Sequence, residues 1–185
     1  EIADEPVEAP LIRQRAIEVD SSERTPLLVH LLKSEGWSRV LVFVAKKYGA
    51  SHVADKLRRN GISAVDFHGE LSQGARSQAL DDFRNSRVRV LVATDLAARG
   101  LDIVRLPVVL NYDLPRSTTD FVHRIGRTGR AGETGLAVSL ITAESHAHFR
   151  LIEKRHQLAV PRERIPGFEP VESAPPAATG GIKGR

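Results

Sequence analysis

The chain has neither cysteine nor methionine in 185 residues, a single tryptophan and two tyrosines, and aromatic residues make up only 5% of it. Without cysteine there are no disulfides, no thiolate metal sites and no cysteine nucleophile. So few aromatics argue against reading bases by stacking and favour contact with a nucleic-acid backbone. Translation starts with methionine, so Glu1 is expected to begin an excised piece, and such a piece can carry half of a shared site. No apolar run approaches the roughly 18 residues of a membrane span, and the acidic opening Glu1–Glu8 is unlike a signal peptide. A soluble, cytoplasmic protein without membrane attachment is expected.

The length suits one domain with a real core. A net charge of +4 and a pI near 9.8 permit a polyanionic partner, nucleic acid first among them. Residues 11–19 alternate in part, like an edge strand. Thr25-Pro26 offers a helix N-cap followed by proline at the first helical position, with Leu27, Leu28, Leu31 and Leu32 as the apolar stripe and Gly36 as the stop. Val40–Ala45 is continuously apolar, as in a parallel strand covered on both faces. Ala50, Val53, Ala54 and Leu57 then repeat at helical spacing up to Asn60-Gly61.

The alternation continues with strands at Ile62–Phe67, Val88–Ala93, Val108–Asn111 and Gly135–Ile141. Between and after them come helices near Gln73–Phe83, Leu96–Arg99, Thr118–Arg127 and Glu144–Gln157. This predicts an α/β fold, a doubly wound and mainly parallel sheet with helices on both faces. From Val160 the periodicity is lost. Three segments are expected: a flexible start over 1–10, one domain over 11–169, and a disordered tail over 170–185 rich in proline and glycine.

Ligands of such sheets sit beyond the carboxyl ends of the strands. Lys46-Lys47, His68-Gly69, Thr94-Asp95 and Asp113 all fall there and should share one rim. There is no G-x-x-x-x-G-K-S/T phosphate loop and no acidic cluster after a strand to hold Mg²⁺. Arginines without a phosphate cradle suggest the second half of a shared site.

The arginines lie in His123-Arg124-Ile125-Gly126-Arg127-Thr128-Gly129-Arg130. On a helix, at about 100° per residue, His123, Arg127 and Arg130 fall within roughly 60° of one another, with Arg124 further round. Gly126 and Gly129 mark a helix end or a close backbone approach. The alternative is a surface helix whose arginines pair with carboxylates. In VLVATDLAARGLD, Thr94 or Asp95 can cap a helix, Gly100 allows positive φ, and Asp102 can accept two hydroxyl hydrogen bonds. Asp95 pairing with Arg99 is the plainer reading. Ser72 is a candidate N-cap, with Gln73 and Arg76 in the following turn; an arginine there opposes the helix dipole unless an anion is present. His146 and His148 are two apart on a helix and cannot face one metal ion. Trp37 reads as packing.

Together these segments resemble the DEAD-box ATP-dependent RNA helicases, and among them the bacterial RhlE-like group. ATDLAARGLDI and HRIGRTGRAG are similar to that family's fifth and sixth motifs, VLVFVAKK to its fourth, and HGELSQGARSQALDDFRN to its intervening RNA-contacting segment. The resemblance runs from about Leu11 to Gly167 and covers only the carboxy-terminal RecA-like lobe.

It implies that Arg127 and Arg130 act as arginine fingers on the γ-phosphate of ATP, whose Mg²⁺ complex is held mainly by the first lobe. It further implies that Asp102 binds the ribose with Gly100 shaping the loop, and that His123 joins the network linking the lobes. Gln73, Arg76, Thr94 and the Gly69 backbone would hold phosphates of single-stranded RNA or of an RNA duplex being opened. The implied partners are RNA and the first lobe in cis, and the implied activity is unwinding of short duplexes, with the isolated lobe inactive. A stand-alone RNA-binding module and a DNA helicase of the same superfamily are the alternatives.

Overall fold

The computed structural model describes residues 11–129 and 134–172. Residues 1–10, the tail from 173 and the segment 130–133, which includes Arg130, lie outside the described residues. The chain forms β1 (Leu11–Glu18), α1 (Arg24–Ser34), β2 (Val40–Val44), α2 (Lys47–Arg59), β3 (Ala64–Phe67), α3 (Gln73–Arg84) and β4 (Val90–Thr94). These are followed by α4 (Asp95–Ala98), β5 (Val108–Asn111), α5 (Thr118–Ile125), β6 (Thr134–Ile141), α6 (His146–His156) and β7 (Arg162–Glu163). The seven strands make one sheet in the order β3-β4-β2-β5-β6-β1-β7, and every pair is parallel.

Alternate residues of each central strand serve opposite layers. Val40, Val42 and Val44 meet α1 and α2 through Leu28, Leu31, Val53 and Leu57. Leu41 and Phe43 meet Ala79 and Phe83 of α3 on the other face. Alongside them, Phe121 of α5 and Phe149 of α6 pack edge to face over Ala16, Ala137 and Ile141, with ring centroids 6.0 Å apart. Burial on both faces explains why the strands read as unbroken apolar runs.

Four local readings are corrected. β1 is not the edge: β6 pairs along its whole length, and β7 covers Ala16 and Ile17 on the other side. Thr25 does not cap α1, which begins at Arg24; its hydroxyl bonds that of Tyr112 at 2.8 Å, and Pro26 is the third helical residue. α5 ends at Ile125, with Gly126 closing it, so Arg127 is not on the helical arc of His123. The stretch after Val160 supplies β7, and Ile165 and Phe168 pack on the α1 side of the core. Asp20, nearly buried, accepts hydrogen bonds from the backbone N–H groups of Val171 and Glu172 at 3.0 Å.

Glycine is required where the turn after α5 meets β1 and β6. Gly129 has φ +76°, and a Cβ there would lie 2.9 Å from the carbonyl of Leu11. A Cβ on Gly135 would lie 2.2 Å from the Gly129 nitrogen. Backbone touches backbone at this point, and the turn holding Arg127 is thereby set against the sheet.

Candidate functional site

The carboxyl ends of β2, β3, β4 and β5 do form one rim. Asp113, just past β5, accepts from the Ala45 N–H beyond β2 at 2.8 Å and from Arg24 at 2.7 Å, while Arg24 lies over the Tyr112 ring. Lys47, at the start of α2, pairs with Glu70 in the turn after β3.

Arg124 organises the centre of the rim. Its side chain is 3% exposed; Nε donates to Asp95 Oδ1 at 2.7 Å and Nη2 to Asp95 Oδ2. Its remaining nitrogen donates to the Asp113 carbonyl at 2.6 Å and to Asn111 Oδ1 at 3.2 Å, and Asn111 in turn donates to Ser139 at 3.1 Å. The i,i+4 pairing of Asp95 with Arg99 is therefore replaced by a fork-on-fork pair that ties α4 to α5. The helical-arc argument turns Arg124 away from the working face. A signal for its true place was present, since Phe121, Arg124 and Ile125 follow the i, i+3, i+4 spacing of a buried stripe, and all three are buried.

Arg127 is the second organiser. Its guanidinium donates to the carbonyls of Ala98 at 2.8 Å, Leu101 at 2.9 Å and Ile103 at 3.2 Å, so it grips the loop that carries Gly100 and Asp102. Burial pushes its pKa down, opposed by the charges of Asp95 and Asp102. Gly100 has φ +80°, and Asp102 is exposed between two of the gripped residues. A cleft of about 230 Å³ opens beside them, lined by Ala98, Arg99, Gly100, His123, Arg124 and Arg127. Asp102 stands outside that lining. Thr128 is fully buried, its hydroxyl donating to the carbonyl of Leu106, and thus fixes the turn rather than facing a ligand.

A second cleft, also of about 230 Å³, lies on the other side of α4 between Gln73, Arg76, Leu96, Ala97 and Arg99. Ser72 caps α3 by accepting from Ala75 N–H at 3.1 Å, and Arg76 donates to Gln73 at 3.1 Å while its Nε has no partner among the described residues. Thr94 caps α4 through the Ala97 N–H at 3.4 Å. Gly69 stands in the turn after β3, apart from this cleft. Arg99 lines both clefts, a position that its spacing from Asp95 did not suggest. His148 bonds the Pro115 carbonyl at 2.7 Å and His146 faces Glu18, so the two histidines diverge as their spacing implies.

The helicase conserved C-terminal domain family matches residues 23–132. The ATP-dependent RNA helicase SrmB of Escherichia coli (strain K12) is 47% identical over 127 residues, which cover 69% of this chain and 29% of SrmB. The DEAD-box ATP-dependent RNA helicase CshA of Bacillus subtilis (strain 168) is 39% identical over 158 residues, 85% of this chain and 32% of CshA. The chain thus spans less than a third of either relative. Among solved structures, E. coli SrmB bound to regulator of ribonuclease activity A matches with a TM-score of 0.82 at 38% identity, covering 91% of this chain and 99% of that one. S. cerevisiae Dbp5 bound to RNA and ADP BeF3 matches with a TM-score of 0.78 at 31% identity, covering 85% and 42% respectively.

A parallel sheet of this order, with two arginine-rich turns meeting on its carboxyl rim, defines a RecA-like helicase lobe. The chain belongs to the helicase conserved C-terminal domain family and is the carboxy-terminal lobe of a DEAD-box RNA helicase.

Proposed function

We propose that this lobe is the second half of an ATP-dependent RNA helicase that opens short duplexes, working in the cytoplasm with its first lobe in cis. The observation that carries the reading is the back-to-back placement of the two clefts across α4, with Arg99 in both and the Arg124–Asp95 pair joining their supports. Closing a first lobe over such a rim would couple nucleotide and RNA contact in one movement.

The residues present fit the phosphate and ribose end of ATP, and not its metal. Arg127 brings a half-buried guanidinium, held by three carbonyls, to the wall of the cleft, and Gly100 and Asp102 offer a loop with an exposed carboxylate. Among the described residues no group of three acidic or histidine side chains is arranged to hold a metal ion. Bound ATP supplies a terminal phosphate whose transfer to water builds negative charge on its oxygens. Arg127 would stabilise that charge as an arginine finger, and Asp102 would orient the ribose. The same role for Arg130, and that of His123 in the interlobe network, rest on the motif resemblance; His123 is exposed in the lining of the cleft. Gln73, Arg76, Thr94 and Gly69 would hold RNA phosphates, which gives affinity without base sequence.

The test compares residues 1–185 with the complete gene product in RNA-stimulated ATP hydrolysis. The lobe alone should be inactive and the complete protein active with RNA. Multiple turnovers by the lobe alone overturn the two-lobe reading, and equal stimulation by DNA favours a DNA helicase.

A further inference from the structure

The turn between β3 and α3 carries a negative charge, Glu70, beside the Lys46-Lys47 pair that opens α2. Glu70 follows Gly69 directly and faces Lys47 at the start of α2. Its carboxylate pairs with the Lys47 ammonium, which holds it below the usual carboxylate range. The Glu70 side chain is 63% exposed, so ordinary burial does not account for the pairing.

The turn is held by buried His68 and half-buried Asp66 and Ser51. The Glu70 N–H donates to His68 Nδ1 at 3.3 Å, and the His68 Nε2, 3.0 Å from Asp66 Oδ2, is then the ring's donor. Ser51 donates to the same Asp66 oxygen at 3.1 Å. Burial pushes the Asp66 carboxyl up, but hydrogen bonds from its own backbone, Ser51 and His68 outweigh it and keep the group ionised. The Glu70 backbone is thus fixed by the turn, with its exposed side chain on Lys47.

We propose that Lys47 is an RNA-phosphate ligand and that Glu70 occupies it in the free lobe, competing with the phosphate for one ammonium. This rests on the reading that an RNA backbone runs along Gly69, Gln73, Arg76 and Thr94. When RNA binds, Lys47 exchanges a carboxylate for a phosphate, and Glu70 turns into water at little cost because it is already exposed. The exchange also alters the salt dependence. A phosphate neutralised by a free lysine releases one condensed cation, whereas a lysine taken from a carboxylate leaves an anion that recovers a cation from solution. The net contribution of Lys47 to the salt slope is therefore close to nil while Glu70 is present.

The experiment titrates a labelled oligouridylate into the complete gene product across a salt series, with a non-hydrolysable ATP analogue present. The proteins compared are wild type, Glu70→Gln, Lys47→Ala, the double variant and Arg76→Ala. Glu70→Gln should bind on the order of threefold tighter near 0.1 M salt and steepen the slope by about 0.7, the contribution of one single-strand phosphate contact. In the Lys47→Ala background the same substitution should do neither. Equal gains in both backgrounds would make Glu70 a general repulsive charge and overturn the proposal, as would no gain in either. If Arg76→Ala weakens binding while the cycle is additive, only this inference fails. If Arg76→Ala leaves binding unchanged, the underlying RNA path fails with it. Glu70 is exposed and Lys47 and Arg76 are only half-buried, so thermal midpoints should stay within about 2 °C of wild type and leave the binding data interpretable.

Discussion

Arg124 and Asp95 face each other fork to fork, with Nε 2.7 Å from Oδ1 and Nη2 on Oδ2, and join segments 29 residues apart in sequence. The guanidinium is buried and lies 4.8 Å from the Phe43 ring centroid, while the carboxylate keeps an exposed edge. Removing either partner strands a charge. Asp95→Ala should destabilise the lobe by about 3 kcal/mol because it leaves the buried guanidinium without its counter-charge. Arg124→Met, of similar length, should cost less, about 2 kcal/mol, since Asp95 can turn to water. Urea midpoints at constant m-value measure both.

Arg127→Ala should reduce RNA-saturated ATP turnover of the complete enzyme on the order of 10³-fold if it acts as other arginine fingers do. From sequence, an exposed arginine facing a cleft would be lost without effect on stability. The three carbonyls that Arg127 holds change that expectation: its loss should also cost about 2 kcal/mol, or roughly 4–8 °C in thermal midpoint. Lysine should restore little of either, because one ammonium cannot span the three carbonyls as a planar guanidinium does. Turnover that falls only in step with unfolding would assign Arg127 to structure alone.

Arg76→Ala should weaken RNA binding to a similar degree for different sequences and make the salt slope shallower by about one unit or less. A loss confined to one base sequence would contradict backbone contact. Filter binding with several homopolymers at three salt concentrations distinguishes these outcomes.

The segment beyond α6 should loosen in acid. Glu163 is held below its ordinary pKa by two hydrogen bonds from Arg15, and Glu153 likewise by Arg162. Groups with lowered native pKa values stabilise the fold fully above the unfolded value of about 4.3, and that contribution is lost as pH falls through the lowered native values. Limited proteolysis after residue 160 should therefore accelerate below about pH 4.3, and Glu163→Gln should show part of that acceleration already at neutral pH.

Elements with a strong period could be read in advance. The apolar residues of α2 and the cap at Ser72 stand where the sequence places them, because local spacing and local hydrogen bonding specify both. β7 was not legible, since its two residues are a strand only through β1 and through the ion pair of Glu163 with Arg15. The site divides in the same way. The positive φ of Gly100 and the helix cap of Thr94 show in the local sequence, whereas the burial of Arg124 depends on Asp95, Asn111 and Asp113, which the fold brings from two other places. A charged residue on an apolar stripe was the only local sign of it.

Because every strand runs the same way, the chain re-enters the sheet at the opposite edge through tight, exposed turns. Asn60-Gly61 precedes β3 and Asn85-Ser86 precedes β4, with Gly61 and Ser86 at φ +78° and +59°. The lobe therefore has a working end and a handling end. Dyes, tethers or fusion partners joined near Asn60 or Asn85 would sit at the end of the sheet opposite the rim that carries both arginine-lined clefts.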